Sequence, residues 1–129
     1  MFNGGGFAVL DLLTEMLARL RSENDLEFAA ISADGMLVAA DTADDVDAEG
    51  ICATAADGYL VMTALGLELK RGDHKMLTIE FTQGTVVVCP LELGAVLVMM
   101  TGGNANLGRL RLAARRFQAQ YLESASQAA

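Results

Sequence analysis

The chain holds one histidine, His74, and so has little with which to build proton-transfer chemistry. A serine or cysteine triad would have to use it, yet there is no nucleophile elbow and no catalytic cysteine motif. Cysteine is also scarce. Cys52 and Cys89, the only two, fall in a predicted helix and a predicted central strand, in no metal-type spacing, and two buried thiols suit a reducing cytosol. Bases are outnumbered nine to seventeen by acids, for a net charge of −8. That argues against nucleic-acid binding, which needs a basic field along the phosphates. The segment Met1-Phe2-Asn3-Gly4-Gly5-Gly6 has no basic region and no cleavable apolar core, and is expected to be a flexible leader, not a signal peptide. No repeat or linker interrupts the chain, and no cofactor and no bound metal are expected.

Apolar residues, by contrast, are plentiful. They make up 53% of the 129 residues, with mean hydropathy +0.35, which is high for a soluble monomer and points to surface buried between subunits. The length suits one domain over 1–129, with about 1–6 and 122–129 as flexible ends.

The stretch Asp47 to Arg71 reads as one long helix, acidic at its entry and basic at its exit, with Gly72 as the stop. From Gly50 to Leu67 its only charge is Asp57. Ile51, Ala55, Gly58, Met62, Leu65 and Leu69 form one apolar stripe; Glu49, Ala53, Ala56, Leu60, Ala64 and Leu67 form a second, made mainly of small residues. A helix apolar on both sides must be covered on both sides. One cover is the protein's own sheet, and the economical second cover is another copy of the chain; the alternative is a helix buried within the monomer. A membrane span fits worse, because Asp57 at mid-membrane would cost ~2.5–3.5 kcal/mol, and no direct membrane insertion is expected.

In chain order, Phe7–Arg21 is a helix with Phe7, Leu10, Leu13, Leu17 and Leu20 inward. Leu26–Ser32 and Met36–Ala40 are strands joined by an Asp34-Gly35 hairpin turn. After the long helix, His74–Thr82 reads as a strand of period two, then Gln83-Gly84 turns. Thr85–Cys89 and Ala95–Met100 are apolar nearly throughout and should be central, covered on both faces. Leu107 to about Tyr121 closes the chain as a helix, with Leu107, Leu110, Ala114, Phe117 and Tyr121 inward. The order helix-strand-strand-helix-strand-strand-strand-helix predicts an α+β fold, a three-layer α/β/α sandwich around a mainly antiparallel five-stranded sheet. The long helix takes one side, and the first and last helices take the other. The more polar strand from His74 belongs at an edge, where two sheets could join.

Three further features resolve to bland chemistry. Gly103-Asn104-Ala105-Asn106-Leu107-Gly108-Arg109-Leu110 nearly matches a phosphate-binding loop but lacks its lysine and hydroxyl, and reads as a glycine turn feeding an asparagine cap. The acids from Asp41 to Glu49 lack calcium-loop spacing; Asp44, Asp45 and Asp47 among them offer a docking surface for a basic patch on a partner. The arginines of the last helix read as its wet face.

Four segments, in this order and spacing, carry a family likeness. They are Ala30-Ile31-Ser32-Ala33-Asp34-Gly35 with Val38-Ala39-Ala40; Val46-Asp47-Ala48-Glu49 opening a helix with Ala55-Ala56; Thr78-Ile79-Glu80-Phe81-Thr82-Gln83-Gly84; and Asn106-Leu107-Gly108-Arg109-Leu110-Arg111. Over roughly residues 7–121 the chain resembles a Roadblock/dynein-light-chain domain of bacterial or archaeal type, similar to the gliding-motility GTPase regulators. The resemblance implies a profilin-like fold and a homodimer whose edge strands join into one sheet, with the two long helices side by side as a platform. It implies a small Ras-like GTPase as partner, with stimulation of GTP hydrolysis, and no catalytic site in the chain itself. Carried onto this sequence, the interface is Glu49, Cys52, Ala53, Ala56, Tyr59, Leu60, Thr63, Ala64 and Leu67, with Met76, Thr78 and Glu80 from the edge strand. A cytoplasmic adaptor follows; the alternatives are a scaffold subunit of another signalling or motor complex, or a small-molecule sensor of the same layered shape.

Overall fold

The computed structural model describes residues 4–43 and 45–128. Its elements are α1 (Gly4–Glu23), β1 (Leu26–Ala33), β2 (Met36–Thr42), α2 (Ala48–Leu69), β3 (Leu77–Phe81), β4 (Gly84–Pro90), β5 (Ala95–Thr101) and α3 (Leu107–Ala128), with a single 3-10 turn at Glu92–Gly94. The element order is the expected one.

Local chemistry explains most boundaries. Asp34 and Gly35 both take positive φ, 53° and 78°, as the tight hairpin between β1 and β2 requires. The Asp47 carboxylate accepts the backbone N–H of Gly50 at 3.0 Å and caps the start of α2. That helix ends at Leu69, two residues earlier than expected. Lys70 takes the left-handed conformation, and the N–H groups of Lys70 and Arg71 close onto the carbonyls of Leu67 and Gly66. A Cβ at Gly66 would collide with the Gly72 carbonyl oxygen, so glycine is needed where the chain turns back. Asn106 caps α3 as expected, its side-chain oxygen accepting the N–H of Arg109 at 3.0 Å.

Other boundaries move as well: α1 spans Gly4–Glu23 instead of Phe7–Arg21, and β2 continues to Thr42. β3 begins at Leu77, not His74. Gly84 belongs to β4, paired with Phe81, where its bare Cα lets the chain pass close to the Thr101 carbonyl. α3 runs on to Ala128 instead of ending near Tyr121, because Ser-Ala-Ser-Gln-Ala contains no glycine or proline to stop it. Of the leader expected over residues 1–6, residues 1–3 lie outside the described residues, while Gly4–Gly6 already belong to α1.

The sheet order is β2-β1-β5-β4-β3, antiparallel at every pair. β4 and β5 are central, as their apolar runs predict, β1 joins them, and β3 is at an edge. One face carries Ala29, Ile31, Val87, Leu97 and Met99 against Leu13, Leu17 and Leu20 of α1 and Leu110, Ala114 and Phe117 of α3. The other carries Phe28, Ala30, Val88, Val96 and Val98 against α2. Leu10, expected inward, is 46% exposed. The architecture is the three-layer sandwich, with unequal layers: two helices cover one face, and one helix covers part of the other.

Candidate functional site

α2 packs over β1 and β2, at one side of its sheet face. Its contact stripe is Ala48, Ile51, Cys52, Ala55 and Tyr59. Outward of that stripe Ala53, Leu60, Val61, Ala64, Leu65 and Leu67 are exposed, Leu67 to 74%. The expectation of a helix apolar on a second, bare side holds, and the alternative of a helix buried within the monomer does not. By length and composition α2 is also the one helix among the described residues able to cross a membrane.

Because α2 sits to one side, the sheet beyond it is bare as well. Ile79 and Phe81 of β3 reach solvent on the α2 side, Phe81 to 60%. Between them and α2 runs a trough of about 790 Å³, with Ile51, Ala55 and Gly58 along one wall and Leu77, Val86 and Met100 below. Among the described residues β3 pairs only with β4, so its outer edge keeps its backbone hydrogen-bonding groups free. Bare helix, trough and free edge are continuous. A continuous exposed apolar surface of this size is the kind that binding sites present.

The family model of the Roadblock/LC7 domain matches residues 12–101, which spans all five strands and α2. The chain belongs to the Roadblock/LC7 family. Solved structures agree on the fold. MglB of Myxococcus xanthus superposes with a TM-score of 0.84 at 14% identity, covering 90% of this chain and 96% of its own. The gliding protein MglB of Thermus thermophilus gives 0.81 at 16%, covering 98% and 95%. A Roadblock/LC7 domain from Streptomyces avermitilis gives 0.77 at 17%, covering 83% and 92%. Identities this low speak for the shared fold alone. No curated protein matches the sequence significantly.

Within the Roadblock frame, the residues expected at the interface fall into two groups. Glu49, Ala53, Leu60, Ala64 and Leu67 lie together on the bare face of α2. Cys52 does not: it is fully buried against the sheet, beyond any partner's reach, because the contact stripe is turned towards it. Tyr59 is half-buried on the same stripe. Ala56 and Thr63 are half-buried at its flank, Ala56 facing the hairpin turn at Gly35. Met76 precedes β3 and packs into the α1–α3 core. By strand alternation Thr78 and Glu80 share its side of the sheet, away from the trough. Sequence reasoning placed this strand at the interface but chose its Met76, Thr78 and Glu80 side over Ile79 and Phe81. The signal was present in the period of two along β3, but their apolar face reads as core until the sideways placement of α2 is known.

His74 lies between α2 and β3. Its ring meets Tyr59 edge-on, centroids 4.4 Å apart at 67°, and neither ring nitrogen has a partner or contact with solvent. It is half-buried and precedes β3 instead of opening it. In the acidic cluster, Asp47 is occupied as a cap and Asp41 pairs with Arg21 at 3.2 Å, while Asp45 and Glu49 are exposed. Asp44 lies outside the described residues. Among the described residues, no three His, Cys, Asp or Glu side chains gather as metal ligands would. Burial pushes both thiols up; a hydrogen bond with Ser32 partly offsets this at Cys52, and the Arg115 guanidinium does so at Cys89.

Proposed function

We propose that the chain is a cytoplasmic, homodimeric adaptor that binds a small Ras-like GTPase and stimulates its GTP hydrolysis, with no catalytic site of its own. The observation that carries this reading is the continuous uncovered surface from the α2 face across the trough to the edge of β3, in a chain of the Roadblock/LC7 family. An exposed face of this length is costly in water, so burial against a second copy is the natural resolution. Two β3 edges related by a two-fold axis pair antiparallel and extend the sheet. The partner's α2 then lies against the first over the trough. The interface proposed is Ala53, Leu60, Ala64 and Leu67 with Ile79 and Phe81. The trough has few polar groups in its lining, which favours a protein over a small polar ligand as occupant.

The GTPase docks on the paired helices, with the exposed Asp45 and Glu49 at their acidic ends meeting basic residues of the partner. The test is co-purification from native lysate in GTPγS and separately in GDP, followed by a single-turnover hydrolysis assay on the bound GTPase. Retention of a small GTPase in one nucleotide state, with hydrolysis accelerated by added protein, is the expected result. Equal retention in both states without acceleration leaves a scaffold, and no GTPase in either state defeats the proposal.

A further inference from the structure

The opposite face of the sheet carries a second unexplained surface. Arg19 on α1 and Arg109, Arg111, Arg115 and Arg116 on α3 are five of the nine bases in a chain of net charge −8. All five are exposed. Seventeen acids are available to neutralise them, yet the one ion pair among the described residues joins Arg21 to Asp41. Arg109 donates a hydrogen bond to the backbone carbonyl of Glu23, at the C-terminus of α1, and meets no carboxylate. The placement is unfavourable to the helix itself. Arg109 and Arg111 occupy the first turns of α3, where the helix dipole disfavours cations and no acid is present. From Leu107 to Leu122 the helix carries no acidic residue at all. Apart from the Arg109 hydrogen bond, no ion pair among the described residues uses these charges, which leaves them available to a partner.

The shape says what they meet. Between α1 and α3 runs a seam of about 360 Å³, where Arg19, Arg109 and Arg116 outnumber the single carboxylate of Glu23 and where Leu112 and Phe117 supply part of the lining. A concave seam flanked by three arginines, its lining more polar than apolar, fits a ridge of carboxylates with a few apolar anchors among them. Arginine's planar fork takes carboxylates in bidentate fashion. A flat anionic bilayer fits worse, because it cannot enter the seam and would also face the remainder of a strongly acidic protein. We infer that the α1–α3 seam docks an acidic amphipathic segment of a partner protein, on the side of the sheet opposite the α2 platform. The inference does not depend on the GTPase reading, and both surfaces can be occupied at once.

The experiment uses the full chain and a fluorescein-labelled helical peptide of about 16 residues, leucines on one face and glutamates beside them. A control peptide has each glutamate replaced by lysine, and vesicles of phosphatidylserine in phosphatidylcholine serve as the membrane probe. Anisotropy should show the glutamate peptide binding and the lysine peptide not. Binding should fall about ten-fold or more in Arg19→Glu/Arg116→Glu and also between about 50 and 300 mM salt. Arg19→Gln/Arg116→Gln, which only neutralises, should fall between the two. Both variants should keep the melting temperature of the wild type, since the side chains are exposed and unpaired. Equal binding by wild type and the glutamate variant, no binding of the acidic peptide, or vesicle binding that the same variant abolishes would each overturn the inference.

Discussion

The imidazole of His74 stands edge-on to the ring of Tyr59, with centroids 4.4 Å apart, and so ties the entry of β3 to the middle of α2. These are the two elements that leave the molecule's apolar surface bare, and this aromatic contact helps set the spacing between them. Such a pair contributes about 0.5–1.5 kcal/mol beyond its area. The unpartnered ring nitrogens work against it, since a buried polar atom without a hydrogen bond is a cost. His74→Phe keeps the edge contact and removes the orphaned atoms, so it should be at least as stable as wild type. His74→Ala should lose about 1 kcal/mol. Urea unfolding of the two variants measures both.

Lys70 closes α2 in a left-handed conformation, φ 55°, that a residue with a Cβ adopts at a cost. Lys70→Gly should stabilise the protein by roughly 0.5–1 kcal/mol, because the native conformation is one glycine takes freely. Gly66→Ala should destabilise it, since the new methyl meets the Gly72 carbonyl. Thermal unfolding of both separates the two signs.

Among the acids near α2, structure distinguishes roles that charge alone cannot. Asp47→Ala should lower stability by about 1 kcal/mol through loss of the cap. Asp45→Lys with Glu49→Lys should leave folding intact and weaken GTPase binding at low salt. Unchanged affinity in that double variant would remove the helix entry from the docking surface.

Cys52 and Cys89 sit out of solvent with both thiols raised above their ordinary value of 9.0. The folded protein holds these protons to higher pH than the unfolded chain does. Their contribution to stability is therefore complete below the ordinary thiol value and is lost as pH rises through the folded one. Denaturant unfolding at increasing alkalinity should show a steeper decline for wild type than for Cys52→Ala/Cys89→Ala. Native protein at neutral pH should react slowly with a thiol reagent, and unfolded protein fast.

Much of this fold was legible because its signals are local. Asp34-Gly35 announces a hairpin, the apolar runs at Val86–Cys89 and Val96–Met99 announce central strands, and Asn106 announces a helix start. The rotation of α2 was not legible. Alanine and glycine occur on every side of it, so its two stripes differ little in hydrophobicity, and only packing reveals that Cys52 and Tyr59 meet the sheet. The sideways seat of α2 was hidden for the same reason, and with it the exposure of Ile79 and Phe81. The unpaired state of the arginines on α3 also needed the structure, because sequence spacing shows which charges share a helix and not which find partners across elements.

Sedimentation equilibrium at micromolar concentration tests the central claim most directly. The wild type should sediment at twice the 13.6 kDa chain mass. Leu60→Glu and Phe81→Glu, which place a charge in the proposed interface, should each give the single-chain mass with unchanged circular dichroism. Leu112→Glu, on the opposite side of the sheet, should leave the doubled mass intact. A wild type at the single-chain mass, or interface variants that remain paired, would contradict the account.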